Sequence, residues 1–448
     1  MNATIHDPAA DRKSPGAAYR TPVAEEVEAF ALPVEGAIPP ELAGRFVRNG
    51  PNPRPGERMH AFMAPGMLHG LELAGGKATW YRNRWVRNRS FETGAPYVRA
   101  DGTLDLTAGS PNTNVIAHAG RVLALVESSF PCEMTPRLDT IGAYDFAGRL
   151  TTPFTAHPKR CPRTGELHAF GMRMSADGEL TYHRVGADGI LLESRPIPVP
   201  GATMMHDFAL TDRHVVFMDL PIVFDRSRAA NGQMPFRWSD TYGARVGVLR
   251  RDDPAAGVRW LDVEPCYVFH VMNAYDNGDE VVCDVVRYPE LWRDDATFSA
   301  PATLHRWTID TANGRVREAQ LDDRAIEFPR ADERRTGSRY RFGYAVDMSA
   351  REDTCGVRKY DLATGGSVVH DFGPGRFAGE PVFVPAAGDT SEDAGWLMAF
   401  VYDAARDGSD FVLLDAADPA AAPVATIALP QRVPFGFHGN WIDDAELT

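Results

Sequence analysis

Thirteen histidines are spread over the 448 residues, and four of them stand apart by their surroundings. His157 in PFTAHPKR, His206 in ATMMHDFAL, His270 in YVFHVMNAYDNGDE and His438 in PFGFHGNW each have apolar or aromatic neighbours on at least one side, with a strand or a sharp turn beside them. Any one of them alone reads more readily as a satisfied core or surface residue than as a ligand, although a neutral imidazole also suits a transition-metal ion. Their separations of 49, 64 and 168 residues are nothing like the i, i+4 pair of a helical metalloprotease site, so local spacing by itself gives no metal motif. Other histidines read as ordinary: His118 lies in the turn AHAGRV, His183 among polar residues, and His6 near the N-terminus.

Histidines so far apart meet only if distant strands are brought to one point. Runs of strand length recur: RVLALVES (121–128), HVVFMDL (214–220), ARVGVLRR (244–251), EVVCDVVRY (280–288), WLMAFVYD (396–403) and DFVLLDA (410–416). Between them lie turns such as AGGK, ADGT, YDNGDE and TANGR, where glycine beside Asp or Asn supplies positive φ. Only brief segments such as PPELAG (39–44) suggest helix. This all-β pattern, without a linker, suits a sandwich array, a large barrel or a propeller, and the propeller fits best. Seven blades would take roughly 60 residues each, above the ~40–50 of common propeller repeats, which leaves room for long loops on one face. There is no clean internal repeat to set the blade number. Inner strands of successive blades converge on the axis, so histidines about one blade apart could meet there. Residues 1–24 read as a flexible arm and 25–448 as a single propeller domain.

Composition narrows the partners. The 44% hydrophobic, 24% charged and 10% aromatic content is that of a folded globular chain. A net charge of −14 repels phosphate backbones, so nucleic acid is not expected. Five cysteines, at 132, 161, 266, 283 and 355, show no CxxC spacing and read as reduced thiols of a cytoplasmic protein. The N-terminal MNATIHDPAADRKSPG lacks the apolar core of a secretory signal, and no run approaches the ~18 apolar residues of a membrane helix. Shallow contact of apolar loops with a lipid surface stays open.

GRFVRNGPNP (44–53), WYRNRWVRN (80–88), NTNVIAHAGRVLALVE (112–127), TAHPK, MMHDFALTDRHVVF, GEPVFVP (379–385) and PFGFHGNW together resemble the carotenoid cleavage oxygenase family, in family order from about residue 20 onward. The resemblance implies a seven-bladed β-propeller with a helical and loop cap over the iron-bearing face. It further implies one non-haem Fe(II) per chain, held on the axis by four histidines that fall here on His157, His206, His270 and His438. Three glutamates behind the ligands also have matches: Glu127 closes LALVE, Glu327 lies in AIEFPR and Glu380 begins EPVFVP. By analogy they support His206, His270 and His438 respectively, and His157 is left to a water or backbone partner. Four neutral ligands leave the ion its full charge with positions open for O2, while carboxylates behind them fix each ring's tautomer. Taken singly, each glutamate also reads as an ordinary strand-edge carboxylate. Thr113, in NTN, falls where the family has a threonine whose methyl crowds one open iron position; the alternative is a threonine hydrogen-bonded in a turn with Asn112 and Asn114.

The implied reaction inserts O2 across a C=C bond of a hydrophobic, conjugated alkene to give two carbonyl products. The alkene supplies the electrons, so no flavin or nicotinamide is expected, and no GxGxxG follows a strand. Stilbenoid-cleaving members carry a lysine before the glutamate of the LAL segment; here that position is Val126, an apolar wall that favours a polyene or apocarotenoid. LPIVFDRSRAANGQMPFRW (220–238) resembles the family's loop near the substrate entrance. Its Phe224, Met234, Phe236 and Trp238 could line a tunnel, dip into lipid, or simply pack the loop, and Trp85 is a further candidate pocket wall. The leading expectation is an Fe(II) dioxygenase for an apocarotenoid-like polyene. Its rivals are a dioxygenase for stilbenes or propenylphenols and a non-catalytic propeller scaffold, the latter disfavoured by the intact set of histidines, glutamates and threonine. The bond cut and the oligomeric state are not legible.

Overall fold

The computed structural model describes residues 16–57, 59–173, 178–231, 233–293, 300–351 and 353–447. Short β-branched and aromatic runs divided by glycine turns fold into antiparallel meanders, as period-2 patterns with tight turns require. The hairpin of Tyr267–Asn277 and Glu280–Tyr288 shows why glycine is needed at its turn. Gly278 has φ 64°, and nothing lies within 4 Å of where a Cβ would sit, so backbone geometry rather than space selects it. Among the described residues α-helix is confined to Arg89–Thr93 and Arg226–Ala230, and no helix is long and apolar enough to cross a membrane.

Phe146–Tyr340 form one compact unit. It holds three four-stranded meanders, which begin at Lys159–Arg160, Ala209–Leu210 and Tyr267–Asn277 and end at Leu191–Ile197, Val258–Asp262 and Arg315–Gln320. A separate two-stranded hairpin, Ile222–Phe224 with Phe236–Trp238, lies in the chain between the second and third strands of the second meander. Phe170, Met172, Phe208, Phe217 and Leu249 pack together out of solvent in the core of this unit. Each fully buried side chain of this kind contributes roughly 1.5–3 kcal/mol relative to exposure. Each meander opens on a strand that follows or contains one of the singled-out histidines: His157 lies two residues before the first, His206 three before the second, and His270 inside the third.

The described residues through Asp145 and those from Arg341 onward form the other unit. Its five-stranded sheet runs Glu28–Leu32, Lys77–Trp85, Gly66–Ala74, Gly44–Pro51, Gly439–Asp443, so the last strand pairs with one almost at the start. Asn114–His118, Arg121–Leu125, Cys132–Met134 and Thr140–Ala143 make a four-stranded meander. Two more meanders follow, from Phe342–Arg351 to Gly366–His370 and from Val382–Pro385 to Ala425–Ala428. Phe46, Phe400 and Phe411 are central to its core, with Phe46 meeting Phe400 edge-on at 5.0 Å.

The arm expected over residues 1–24 lies outside the described residues as far as residue 15, and beyond that it is not free. Tyr19 stacks on Tyr402 at 5.0 Å and on Phe377 at 5.7 Å, with the edge of Phe435 at 5.8 Å. Asn52 exchanges two 2.9 Å hydrogen bonds with the backbone of Val23. An aromatic side chain seeking burial overrides the Pro- and Ala-rich character of its neighbours.

Candidate metal centre

His157 stands just ahead of its strand, its N–H donating to Thr155 Oγ1 at 3.0 Å. His270 lies where the ladder with Glu280–Tyr288 slips, between Val268 and Val271 and again before Asn273. Such a bulge turns a side chain out of the regular alternation and frees backbone groups for other partners. His438 is held at both ends of its peptide: its N–H donates to Thr113 O at 3.0 Å and its carbonyl accepts from Asn49 N–H at 2.9 Å. Glycines stand on either side of it, at 436 and 439, where the packing is close. A Cβ at Gly436 would overlap the Arg48 guanidinium, and one at Gly439 would come within 3.1 Å of the Phe46 ring and 3.2 Å of Val47 O.

These segments bring ring nitrogens of His157, His206, His270 and His438 all within 4.8 Å of one another. The side chains are buried, His438 most deeply at 3% exposure. The Nε2 atoms of His157 and His206 face each other at 3.0 Å, a distance at which two lone pairs repel unless a proton or a cation lies between them. A metal–imidazole bond of about 2.1 Å places neighbouring ligand nitrogens about 3.0 Å apart and opposite ones about 4.2 Å apart, so the observed cluster closes onto such a sphere with small shifts. An all-imidazole donor set suits iron and its neighbours; magnesium and calcium would call for oxygen ligands.

Carboxylates stand behind two of the rings. Glu327 Oε2 lies 2.6 Å from His270 Nδ1 and accepts Phe328 N–H at 2.5 Å, while Oε1 accepts Tyr288 OH at 3.0 Å. Glu380 Oε1 lies 3.0 Å from His438 Nδ1 and its Oε2 accepts Gly439 N–H at 2.9 Å. With Nδ1–H engaged, the Nε2 lone pair of each ring is the one left to face a metal. Burial pushes the Glu327 carboxyl up, but His270, the Phe328 amide and Tyr288 outweigh it, and the group sits below its ordinary value. Burial drives the Tyr288 phenol well above its own. Phe328 has φ 53°, rare for a bulky side chain, and its ring stacks on His270 at 5.5 Å.

The remaining expected residues are placed as follows. Glu127 lies just beyond strand Arg121–Leu125, half-buried, with Oε1 shielded from solvent. Thr113 is buried; its hydroxyl donates to Asn112 Oδ1 at 3.1 Å and its N–H to Leu125 O at 3.0 Å. Asn112 is itself clamped by the carbonyls of Ala61 and Ala64. The turn reading of Thr113 thus describes its hydroxyl, and only its methyl is left for another contact. Val126 is buried. Trp85 donates its indole N–H to Asn52 O at 2.9 Å and packs with Val23, Met67 and Phe91. Phe224 and Phe236 meet edge-on at 5.8 Å on facing strands and, like Met234, are partly buried. Trp238 is buried, its indole N–H on Asp240 at 3.2 Å and Arg293 above its ring. This hairpin is tied to the segment that carries His206: Phe224 N–H donates to Ala202 O at 2.9 Å, and Met204 N–H to Ile222 O at 2.8 Å.

Sequence reasoning missed Asp207, Tyr288 and the packing of Phe328. For Asp207 a signal was present, an acid directly after a ligand in HDF; nothing local marks the other two.

Residues 20–443 match the family model described as retinal pigment epithelial membrane protein. A carotenoid cleavage oxygenase of Mycobacterium tuberculosis is 40% identical, over 94% of this chain and 96% of its own length. The chain belongs to the carotenoid cleavage oxygenase family. Among solved structures it is similar to cobalt-substituted Synechocystis apocarotenoid oxygenase, with a TM-score of 0.87 and 28% identity over 98% of this chain and 99% of that one. Pseudomonas brassicacearum lignostilbene dioxygenase gives 0.86 and 30%, over 94% and 96% respectively. As a member of the family the chain is an oxygenase, and its four-histidine cluster fits the family's non-haem iron site.

Proposed function

We propose that the protein is an Fe(II)-dependent dioxygenase that cleaves one C=C bond of an apocarotenoid-like polyene. The observation that carries this is the buried convergence of four imidazoles, two of them oriented by carboxylates. Bound there, Fe(II) supplies the redox chemistry by which triplet O2 reacts with an alkene. One O2 and one R–CH=CH–R′ give RCHO and R′CHO; the alkene provides all the electrons, so no other reductant enters.

His157, His206, His270 and His438 hold the ion, and Glu327 and Glu380 keep the protons of His270 and His438 on Nδ1. Glu127 is assigned the corresponding role toward His206. Thr113, its hydroxyl committed to Asn112, offers its methyl to narrow access beside the ion. Val126 supplies an apolar wall where a lysine would bind a phenol, which supports a polyene over a stilbene. Phe224, Met234, Phe236 and Trp238 form the substrate approach with Trp85 as a further candidate wall, and shallow contact of the 222–238 hairpin with lipid would deliver a substrate of low solubility. The seven-bladed reading is supported by three meanders in one unit and four sheet groups in the other, and it includes a cap of loops and short helices over the iron-bearing face.

The test is product analysis with an apocarotenal and a hydroxystilbene offered separately to anaerobically reconstituted protein. Two aldehydes from the apocarotenal support the proposal. Cleavage of the stilbene alone would replace the substrate with the second reading, and cleavage of neither with about one iron bound per chain would favour a scaffold.

A further inference from the structure

Three of the four histidine segments share one further contact. Asp207, whose side chain is 2% exposed, pairs through Oδ1 with Lys159 Nζ at 2.8 Å. Its Oδ2 accepts Val271 N–H at 2.9 Å, and its Oδ1 also accepts Phe208 N–H at 2.8 Å. Lys159 lies two residues after His157, Asp207 directly follows His206, and Val271 directly follows His270. The Val271 contact sits at the strand bulge, where the ladder slips on either side of Val271.

We infer that Asp207 is the positioning residue of the metal centre, one carboxylate that sets the spacing of the segments carrying His157, His206 and His270. The contact is geometrical rather than a source of charge at the ion. Lys159 balances the carboxylate, and a buried carboxylate with a cation and two amide donors is satisfied in one arrangement only. Moving any of the three segments breaks a charge-assisted hydrogen bond in a site that water does not reach freely. The three rings are thereby held at the separations a metal sphere requires, before any ion binds. Glu327 and Glu380 orient individual rings, whereas Asp207 acts on the spacing between backbones, so the two kinds of contact fail differently.

The inference rests on the metal-centre reading and is tested with Co(II) as a spectroscopic probe on the full-length apo protein. Wild-type protein should take up Co(II) with a visible d–d band; if it does not, the metal reading itself fails. Asp207→Asn keeps an acceptor for one amide but loses the ion pair and should weaken Co(II) binding at least about 10-fold, the lower end of the usual cost of disturbing groups that orient metal ligands. It should also change the band's shape or intensity. Lys159→Gln, which removes the partner and leaves Asp207 in place, should shift both readouts in the same direction and serves if Asp207→Asn does not fold. A lowered melting temperature with wild-type affinity and an unchanged Co(II) band, in whichever variant folds, would overturn the assignment, because a merely structural contact moves only the first.

Discussion

Glu327→Gln removes a charge and keeps a shape. The carboxylate accepts from His270 Nδ1, Phe328 N–H and Tyr288 OH at 2.6, 2.5 and 3.0 Å. In the variant the remaining oxygen still serves the imidazole and the amide, while the new NH2 faces Tyr288, whose hydroxyl can turn to accept. Folding therefore loses only the charge assistance, roughly 1–2 kcal/mol. Metal affinity falls further, because a neutral amide leaves the imidazole less basic and offsets none of the ion's charge. The expected loss is about 10- to 100-fold, or about 1.4–2.7 kcal/mol. Glu327→Ala would be a poorer experiment, since it strands the Tyr288 hydroxyl and the Phe328 amide at about 1–3 kcal/mol each and confuses binding with folding. The assay is anaerobic Fe(II) competition against a chromophoric chelator, with thermal melting of the apo protein in parallel. Affinity within about twofold of wild type, together with a lower apo melting temperature, would refute the reasoning: the carboxylate would then serve only to satisfy buried donors.

His438→Ala should abolish iron retention and cleavage while the circular dichroism of the apo form stays native; an active variant would remove His438 from the centre. Tyr19→Ala loses three ring contacts and the packing behind Phe435, and should destabilise by about 1–3 kcal/mol, less than a fully buried aromatic because Tyr19 is half-buried. Because Phe435 N–H donates to Tyr19 O at 2.6 Å, hydrogen exchange should also quicken at residues 435–438, and unchanged exchange there would argue against it. Burial lowers His183 to about 4 from 6.5, its nitrogens being taken by Thr152 Oγ1 and Ser194 Oγ. As pH falls, the unfolded chain binds this proton first, so stability present above pH 6.5 is lost down to about pH 4, with a slope of about 1.4 kcal/mol per pH unit. Urea midpoints at pH 7, 5.5 and 4.5 should fall more steeply for wild type than for His183→Asn; parallel curves would contradict the assignment.

The four histidines stood out by their apolar and aromatic surroundings, but their grouping and the glutamates behind them were legible only through the resemblance to a family, because no local spacing joins them. What could not be read is what depends on register. Asp207 meets Val271 because the strand slips at His270 and releases an N–H from the ladder, and a slip of one residue leaves no mark in composition. Tyr288 and Glu327 are 39 residues apart and meet only after their sheet is built. The strand pattern and its turns were visible throughout, since β-branched alternation and Asn-Gly or Asp-Gly pairs are local signals. Residues 16–24 fell within the expected flexible arm, yet the ring of Tyr19 stacks on Tyr402 and Phe377, a long-range contact that nothing local announces.

During translation the ribosome exposes His157, His206 and His270 long before His438. The strand that follows His438, Gly439–Asp443, is the last of the described chain, and its partner Gly44–Pro51 is among the first made. Until that pairing forms, one side of Gly44–Pro51 is an open edge able to recruit a strand from another molecule. A nascent or prematurely terminated chain thus carries three ligands and a sticky edge together. Closing the edge and completing the donor set are one event, so iron captured by all four imidazoles reports that Gly439–Asp443 has been made and has paired with Gly44–Pro51.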